Sequence, residues 1–268
     1  MRTPRLAGLG LATMATAAFA VAGCENGAVT VSPASNAPSA AGPSATASAT
    51  VTGSADPQAV SALSKAVGLL DTTSFTVAVT SGTGFKLNGA IDAPKGNATA
   101  QLTASGPNAE INIKTLLLGN DLYAQVPGIT KAGTWTHLDG SRLPAGATIG
   151  LKPGQIDPVG TANLLGTATD VSVSGPNAYA GSLDLSKAAG LAGLSQVTID
   201  GYGAAAQKVP FTATLDGQGR LSKMTVTVPQ GDPIDVTYSG YGEPVSVTRP
   251  APAAITEAPD NFYTSLGS

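Results

Sequence analysis

Phe75-Thr76-Val77-Ala78-Val79-Thr80, then Phe85-Lys86-Leu87-Asn88-Gly89, then Ala98-Thr99-Ala100-Gln101-Leu102-Thr103: these three runs decide how the chain folds. In each, apolar residues alternate with mostly polar ones. A period of two sends successive side chains to opposite faces of a strand, so each run reads as a strand with one apolar and one wet face. The pattern returns at Ile111 and Ile113, which alternate with Asn112 and Lys114, and at Leu122, Ala124 and Val126. The runs are short and the gaps hold Gly, Pro, Asn or Asp, the layout of an antiparallel meander.

On the N-terminal side, Asp56-Pro57 supplies an N-cap followed by proline at the first helical position. Val60, Leu63, Val67 and Leu70 recur at helical spacing, which predicts a helix ending near Asp71. On the C-terminal side, several Gly and Pro interrupt the alternation over 140–158. Asp157-Pro158 then repeats the helix-start chemistry, with Val159, Ala162, Leu165 and Leu164 as candidates for the apolar side. Strand alternation resumes at Val171-Ser172-Val173 and from Tyr179 to Leu185. Ser186 is placed to cap a short helix carrying Ala189, Leu191 and Leu194. Three more strands are expected near Gln207–Leu215, Arg220–Val228 and Ile234–Ser239, with Asp216-Gly217-Gln218-Gly219 as a hairpin turn and Val245-Ser246-Val247 as a last edge strand. The fold class is therefore α+β: a single antiparallel sheet of about ten strands, which must curl, with a few short helices over its apolar face.

The ends of the chain read differently. Arg2 and Arg5 precede an apolar run from Leu6 to Ala22, which is the layout of a secretory signal over residues 1–23. Val21-Ala22-Gly23-Cys24 is similar to the lipobox of bacterial lipoproteins, which implies cleavage between Gly23 and Cys24 and a diacylglyceryl group on the Cys24 thiol. Cys24 is the only cysteine, so no disulfide can form within the chain, and an exported protein with one unpaired Cys needs a reason for it. Two acyl chains on one residue give stable anchoring. Residues 24–55 are almost wholly small and polar, and read as a disordered tether. A flexible chain of that length spans about 30 Å, which would hold the folded part near the outer face of the membrane. Its Ser and Thr density permits O-glycosylation. The folded domain is expected over 56–249, and residues 250–268, again Pro- and Ala-rich, read as a flexible tail.

Charge and composition exclude several functions. The chain has 14 basic and 17 acidic residues; residues 1–23 hold two Arg and no acid, leaving 12 against 17. That acidic balance is no footprint for nucleic acid. His137, beside Trp135, is the only histidine. A His-rich metal site and Cys–His catalysis are therefore out of reach, and no Gly-x-Ser-x-Gly turn supports a serine nucleophile. His137 is expected in an edge-strand or surface role, and neither catalysis nor a cofactor is expected.

With these features in place, the chain resembles the LppX/LprA/LprF/LprG lipoproteins of the actinobacterial envelope. The residues that carry the resemblance are Met1-Arg2-Thr3-Pro4-Arg5, the lipobox, Gly119-Asn120-Asp121-Leu122-Tyr123-Ala124 followed by Trp135, Asp157-Pro158, and Tyr241-Gly242-Glu243-Pro244-Val245-Ser246-Val247-Thr248-Arg249-Pro250. The resemblance implies a half-barrel sheet wrapped around helices, with a hydrophobic cavity between the layers. It also implies carriage of acylated lipids or glycolipids across the envelope by a monomer, with an envelope transporter as a candidate partner. High Gly and Ala content leaves cavity volume open. Candidate lining residues are Val77, Val79, Leu87, Ala98, Ala100 and Leu102, then Ile111, Ile113, Leu122 and Ala124, with Leu63, Val67, Leu165 and Leu191 from helices. Small residues such as Ala98, Ala100 and Ala124 would leave room where Leu would fill it. The alternative is an ordinary filled core in a surface-binding or sensory lipoprotein.

Overall fold

The alternating runs become neighbouring strands. The computed structural model describes residues 55–105, 110–128, 130–143, 151, 156–188, 194 and 196–265, all within one unit, Val51–Ser268. The first meander is β1 (Ser74–Ser81), β2 (Phe85–Asp92), β3 (Asn97–Ser105), β4 (Glu110–Leu118), β5 (Asp121–Gln125) and β6 (Trp135–Asp139). The second is β7 (Ala168–Gly175), β8 (Ala178–Leu183), β9 (Val209–Leu215), β10 (Leu221–Val226) and β11 (Ile234–Ser239), and β12 (Ile255–Glu257) follows. All twelve join one open, curved sheet in the order β12-β6-β5-β4-β3-β2-β1-β11-β10-β9-β8-β7. The long-range β1–β11 pair splices the two meanders, with Val77 opposite Tyr238 and Val79 opposite Val236. Only β12 runs parallel to its neighbour, β6.

Helix α1 (Pro57–Leu70) starts where expected. The Asp56 carboxylate accepts the Gln58 N–H at 2.8 Å, and proline takes the first helical position. Its buried stripe is Ala59, Leu63, Ala66 and Leu70, not the Val-centred one. Val60 is exposed and Val67 half-buried. The two alanines on the stripe permit close approach to β7 and β10, which α1 contacts along with α2 (Thr161–Gly166).

α2 begins later than the sequence suggested. The Asp157 carboxylate accepts the N–H groups of Val159 (3.0 Å) and Thr161 (2.5 Å), so it closes a turn ahead of the helix. Gly160, at φ 72°, then forms the N-cap. This delay rotates the helix: Thr161 and Leu164 are buried, Leu165 is half-buried and Ala162 is exposed. At Ser186 the described residues show a turn. Its backbone N–H and hydroxyl both donate to the Asp184 carboxylate. Ala189 and Leu191 lie outside the described residues. Helix α3 (Gln196–Gly201) and a 3-10 turn at Gly203–Gln207 lead into β9. The Asp216 hairpin forms as expected. The carboxylate accepts the N–H groups of Gln218 and Arg220, each at 2.9 Å. Burial works against its charge, but these bonds and the Arg220 side chain outweigh it and hold the carboxyl below its usual pKa.

Two expectations for the C-terminus fail together. Val245-Ser246-Val247 joins no strand, because β1, the strand beside β11, already pairs on both edges. Residues 250–265 are not a loose tail. They form a 3-10 turn (Pro252–Ala254), β12 and helix α4 (Asp260–Ser265). The free edge of β6 supplies the pairing: Ile255 opposes Trp135, Thr256 opposes Thr136 and Glu257 opposes His137. Ala258 and Tyr263 are buried, and the Tyr263 hydroxyl accepts the Asp139 N–H at 2.8 Å.

Candidate binding face

Register places all ten strand candidates on one face. Val79 lies opposite Leu87, which lies opposite Leu102, which lies opposite Ile113. The row beside it runs from Val77 through Gly89, Ala100 and Thr115 to Ala124. A third runs from Phe75 through Ile91, Ala98, Leu117 and Leu122 to Leu138. Ile111 continues the same face beyond Ala104 and Phe85.

Cover is unequal along this face. Val77, Val79, Leu87, Ala98 and Leu122 are buried, as is Leu63 of α1. Ala100, Leu102, Ile113 and Ala124 are half-buried, together with Val67 and Leu165, and Ile111 is 46% exposed. Ala100, Leu102, Ile113 and Ala124 lie on β3, β4 and β5, separated by β2, β1 and β11 from β10, which α1 contacts, whereas Ala98, Leu117 and Leu122 on the same strands are buried. Leu191, Gly23 and Cys24 lie outside the described residues, as does the tether up to residue 54.

A small hollow of about 140 Å³ lies where the end of α1 meets the start of α2, lined by Val67, Leu70, Ile156 and Asp157 among others. Burial raises the Asp157 carboxyl above its usual pKa, and its backbone hydrogen bonds only partly offset that. Nearby, Thr161 Oγ1 and the Tyr238 hydroxyl share a short hydrogen bond of 2.5 Å. Burial pushes the Tyr238 hydroxyl well above its ordinary pKa. This pair crosslinks α2 to the centre of the sheet.

A larger groove, about 470 Å³, opens on the opposite, hydroxyl-bearing face, where no hollow was expected. Thr76, Asn88, Gln101, Lys114 and Thr237 contribute to its walls, and Trp135 from β6 joins them. Its size falls in the range of small-molecule sites.

His137 lies in a strand as expected, but not at an edge or on the surface: β12 covers the outer side of β6 and the side chain is 14% exposed. Its ring stacks on Tyr123 with centroids 5.0 Å apart. Nδ1 lies 2.7 Å from Glu257 Oε2 and Nε2 lies 2.9 Å from Asp121 Oδ1. Arg249 donates to the Tyr123 hydroxyl at 2.5 Å and to Asp121 Oδ2 at 3.1 Å. Among the described residues, no group of three or more His, Cys, Asp or Glu side chains could hold a metal ion, and no helix is long and apolar enough to cross a membrane.

The LppX_LprAFG lipoprotein family model matches residues 85–247, from the first residue of β2 to beyond β11. No curated protein matches the chain at a meaningful level. Among solved structures, an uncharacterized conserved protein from Thermus thermophilus is similar at 11% identity and a TM-score of 0.37, over 75% of this chain and 99% of that one.

Proposed function

The chain belongs to the LppX_LprAFG lipoprotein family, and from that premise we propose that it takes acyl chains of a lipid or glycolipid against the half-covered aliphatic face of β3–β5 and carries them across the cell envelope. In this reading Cys24 bears the membrane anchor and residues 25–55 are the tether. The observation that carries the proposal is the patch of Ala100, Leu102, Ile113 and Ala124, half-buried on an apolar face whose neighbouring row Ala98, Leu117 and Leu122 is buried, with the exposed Ile111 at its end. Moving an acyl chain into water costs about 0.8 kcal/mol per methylene, so a chain of about 16 carbons costs more than about 10 kcal/mol. A carrier has to supply apolar surface to offset that cost. The half-covered small side chains Ala100 and Ala124 are where an acyl chain would lie closest to the strands. The polar head group would stay at the Ile111 end, and no bond is made or broken.

Mass spectrometry of organic extracts from purified, non-acylated Cys24→Ser protein tests the reading. Co-purified acylated lipid is expected, with strong depletion in Ala100→Trp and Ala124→Trp variants that keep the wild-type fold by circular dichroism. Wild-type protein that yields no lipid would overturn it. A second reading, a surface-binding lipoprotein, draws on the groove beside Trp135. It predicts lipid-free protein whose partner binding is lost in Trp135→Ala.

A further inference from the structure

The His137 constellation carries a further inference, independent of what the apolar face binds. Both ring nitrogens sit within hydrogen-bond distance of a carboxylate oxygen, Glu257 on one side and Asp121 on the other. A carboxylate only accepts, and a neutral imidazole has one N–H to donate. The geometry is therefore complete only for the doubly protonated ring. With a neutral ring, one of the two carboxylates would face a lone pair.

We propose that residues 250–265 are a strap over the edge of the sheet, closed by protonated His137 and loosened when the ring loses its proton. Beside the imidazole, the strap is attached by packing of Ala258, Tyr263 and Phe262 against the core and by a short set of polar contacts. The β12–β6 ladder is three residues long, and one further backbone bond runs from the Ala258 N–H to the His137 carbonyl at 2.9 Å. The Tyr263 hydroxyl takes the Asp139 N–H, with the Arg142 guanidinium 4.1 Å from the centre of the Tyr263 ring. The Arg142–Asp260 ion pair is exposed, and pairs of that kind contribute little. Glu257 is also largely solvent-exposed, so its hold on the sheet depends on His137, not on burial.

The charges around the ring agree with this assignment. Asp121 faces it from β5 and Glu257 from β12, while Asp139 lies two residues along β6. Arg249 is the nearby cation, and it pairs with the other oxygen of Asp121, leaving Oδ1 to the imidazole. Burial alone would lower the His137 pKa. The hydrogen bonds to Glu257 and Asp121, and then their charges, outweigh it and raise the pKa above the ordinary 6.5. A raised histidine pKa gives full stabilisation below the unfolded-state value, lost as pH rises through the folded-state value. The strap is thus closed in acid and loosened in alkali. Opening would bare the β6 backbone from Trp135 to Asp139 and the apolar positions filled by Ala258 and Tyr263, an unpaired edge of the kind that recruits another strand.

Hydrogen exchange on the full chain, corrected for the intrinsic pH dependence of exchange, tests the strap. Between pH 5.5 and pH 8.5, amides of 255–263 are expected to lose protection severalfold while those of β1 and β2 hold theirs. In His137→Gln, which can donate from one side only, 255–263 should be weakly protected at both pH values. Glu257→Gln should flatten the pH dependence without disturbing β1. Wild-type protection of 255–263 that does not change between the two pH values would overturn the proposal. So would a His137→Gln protein with unaltered pH dependence.

Discussion

One apolar face serves two differently built halves of the sheet. Over β8–β11 and β1, it is solid: Phe211, Ala213, Met224, Val226, Val236, Tyr238, Val77 and Val79 are all buried, with α1 close to β7 and β10. Over β3–β5 the same face, in continuous register, keeps one buried row (Ala98, Leu117, Leu122) but thins beside it to half-covered Ala100, Leu102, Ile113 and Ala124 and ends at exposed Ile111. The strands alternate equally well in both halves. What differs is side-chain size and what lies above. Large residues under a helix make a core that holds the fold. The half-covered Ala100, Leu102, Ile113 and Ala124 leave apolar surface partly open, and on the proposed reading that is where a greasy ligand would be held. On that reading, stability and binding are divided along the sheet instead of between its two faces.

The comparison breaks if both halves respond alike to truncation. Phe211→Ala, deep in the solid half, should cost about 3–5 kcal/mol through lost burial and the cavity left behind. Leu102→Ala, in the half-covered region, should cost well under half of that, because a partly exposed side chain loses less on removal. Chemical denaturation of both variants checks this, and equal costs would mean that the β3–β5 face is as tightly closed as the rest.

Gly181→Ala sharpens the comparison from the solid side, with a smaller effect. A Cβ there would sit 2.8 Å from the Thr169 carbonyl oxygen and 2.9 Å from the Phe211 ring. This glycine lets the irregular β7 ladder, whose register shifts between Thr169 and Ser172, lie close against β8. Overpacking of this kind costs about 1–3 kcal/mol. A thermal melt unchanged from wild type would show that β7 can move aside, and that the solid half is softer than its packing suggests.

How far the sequence revealed this depends on distance along the chain. The β1–β5 meander and its apolar face were legible because period-two alternation and Gly-bearing turns are local signals. Asp56-Pro57 and the Asp216 hairpin were legible for the same reason. The phase of α2 was not, since a left-handed Gly160 moved the helix start, buried Thr161 beside Leu164 and left Ala162 exposed. β12 was hidden in a Pro- and Ala-rich stretch because its pairing is decided by the vacant edge of β6. The partners of His137 lie 16 and 120 residues away, with nothing nearby to announce them. Within the candidate face, register identified the residues that share it. Their degree of cover could not be read, because helices and loops from distant parts of the chain set it.

The smallest expected change in stability is also the most direct test of what the open half is for. Ile111 ends the half-covered patch and exposes nearly half its surface, so Ile111→Ser should shift the unfolding free energy by no more than about 0.5 kcal/mol, as for an ordinary surface position. If acyl chains enter at this end, the same substitution puts a hydroxyl where a methylene chain must pass, and the amount of co-purified lipid should fall severalfold with the melt unchanged. A fold-neutral variant that keeps its full lipid load would move the mouth of the binding face elsewhere along β3–β5. One that loses stability by several kcal/mol would mean that Ile111 belongs to the core and that the row closes at that end.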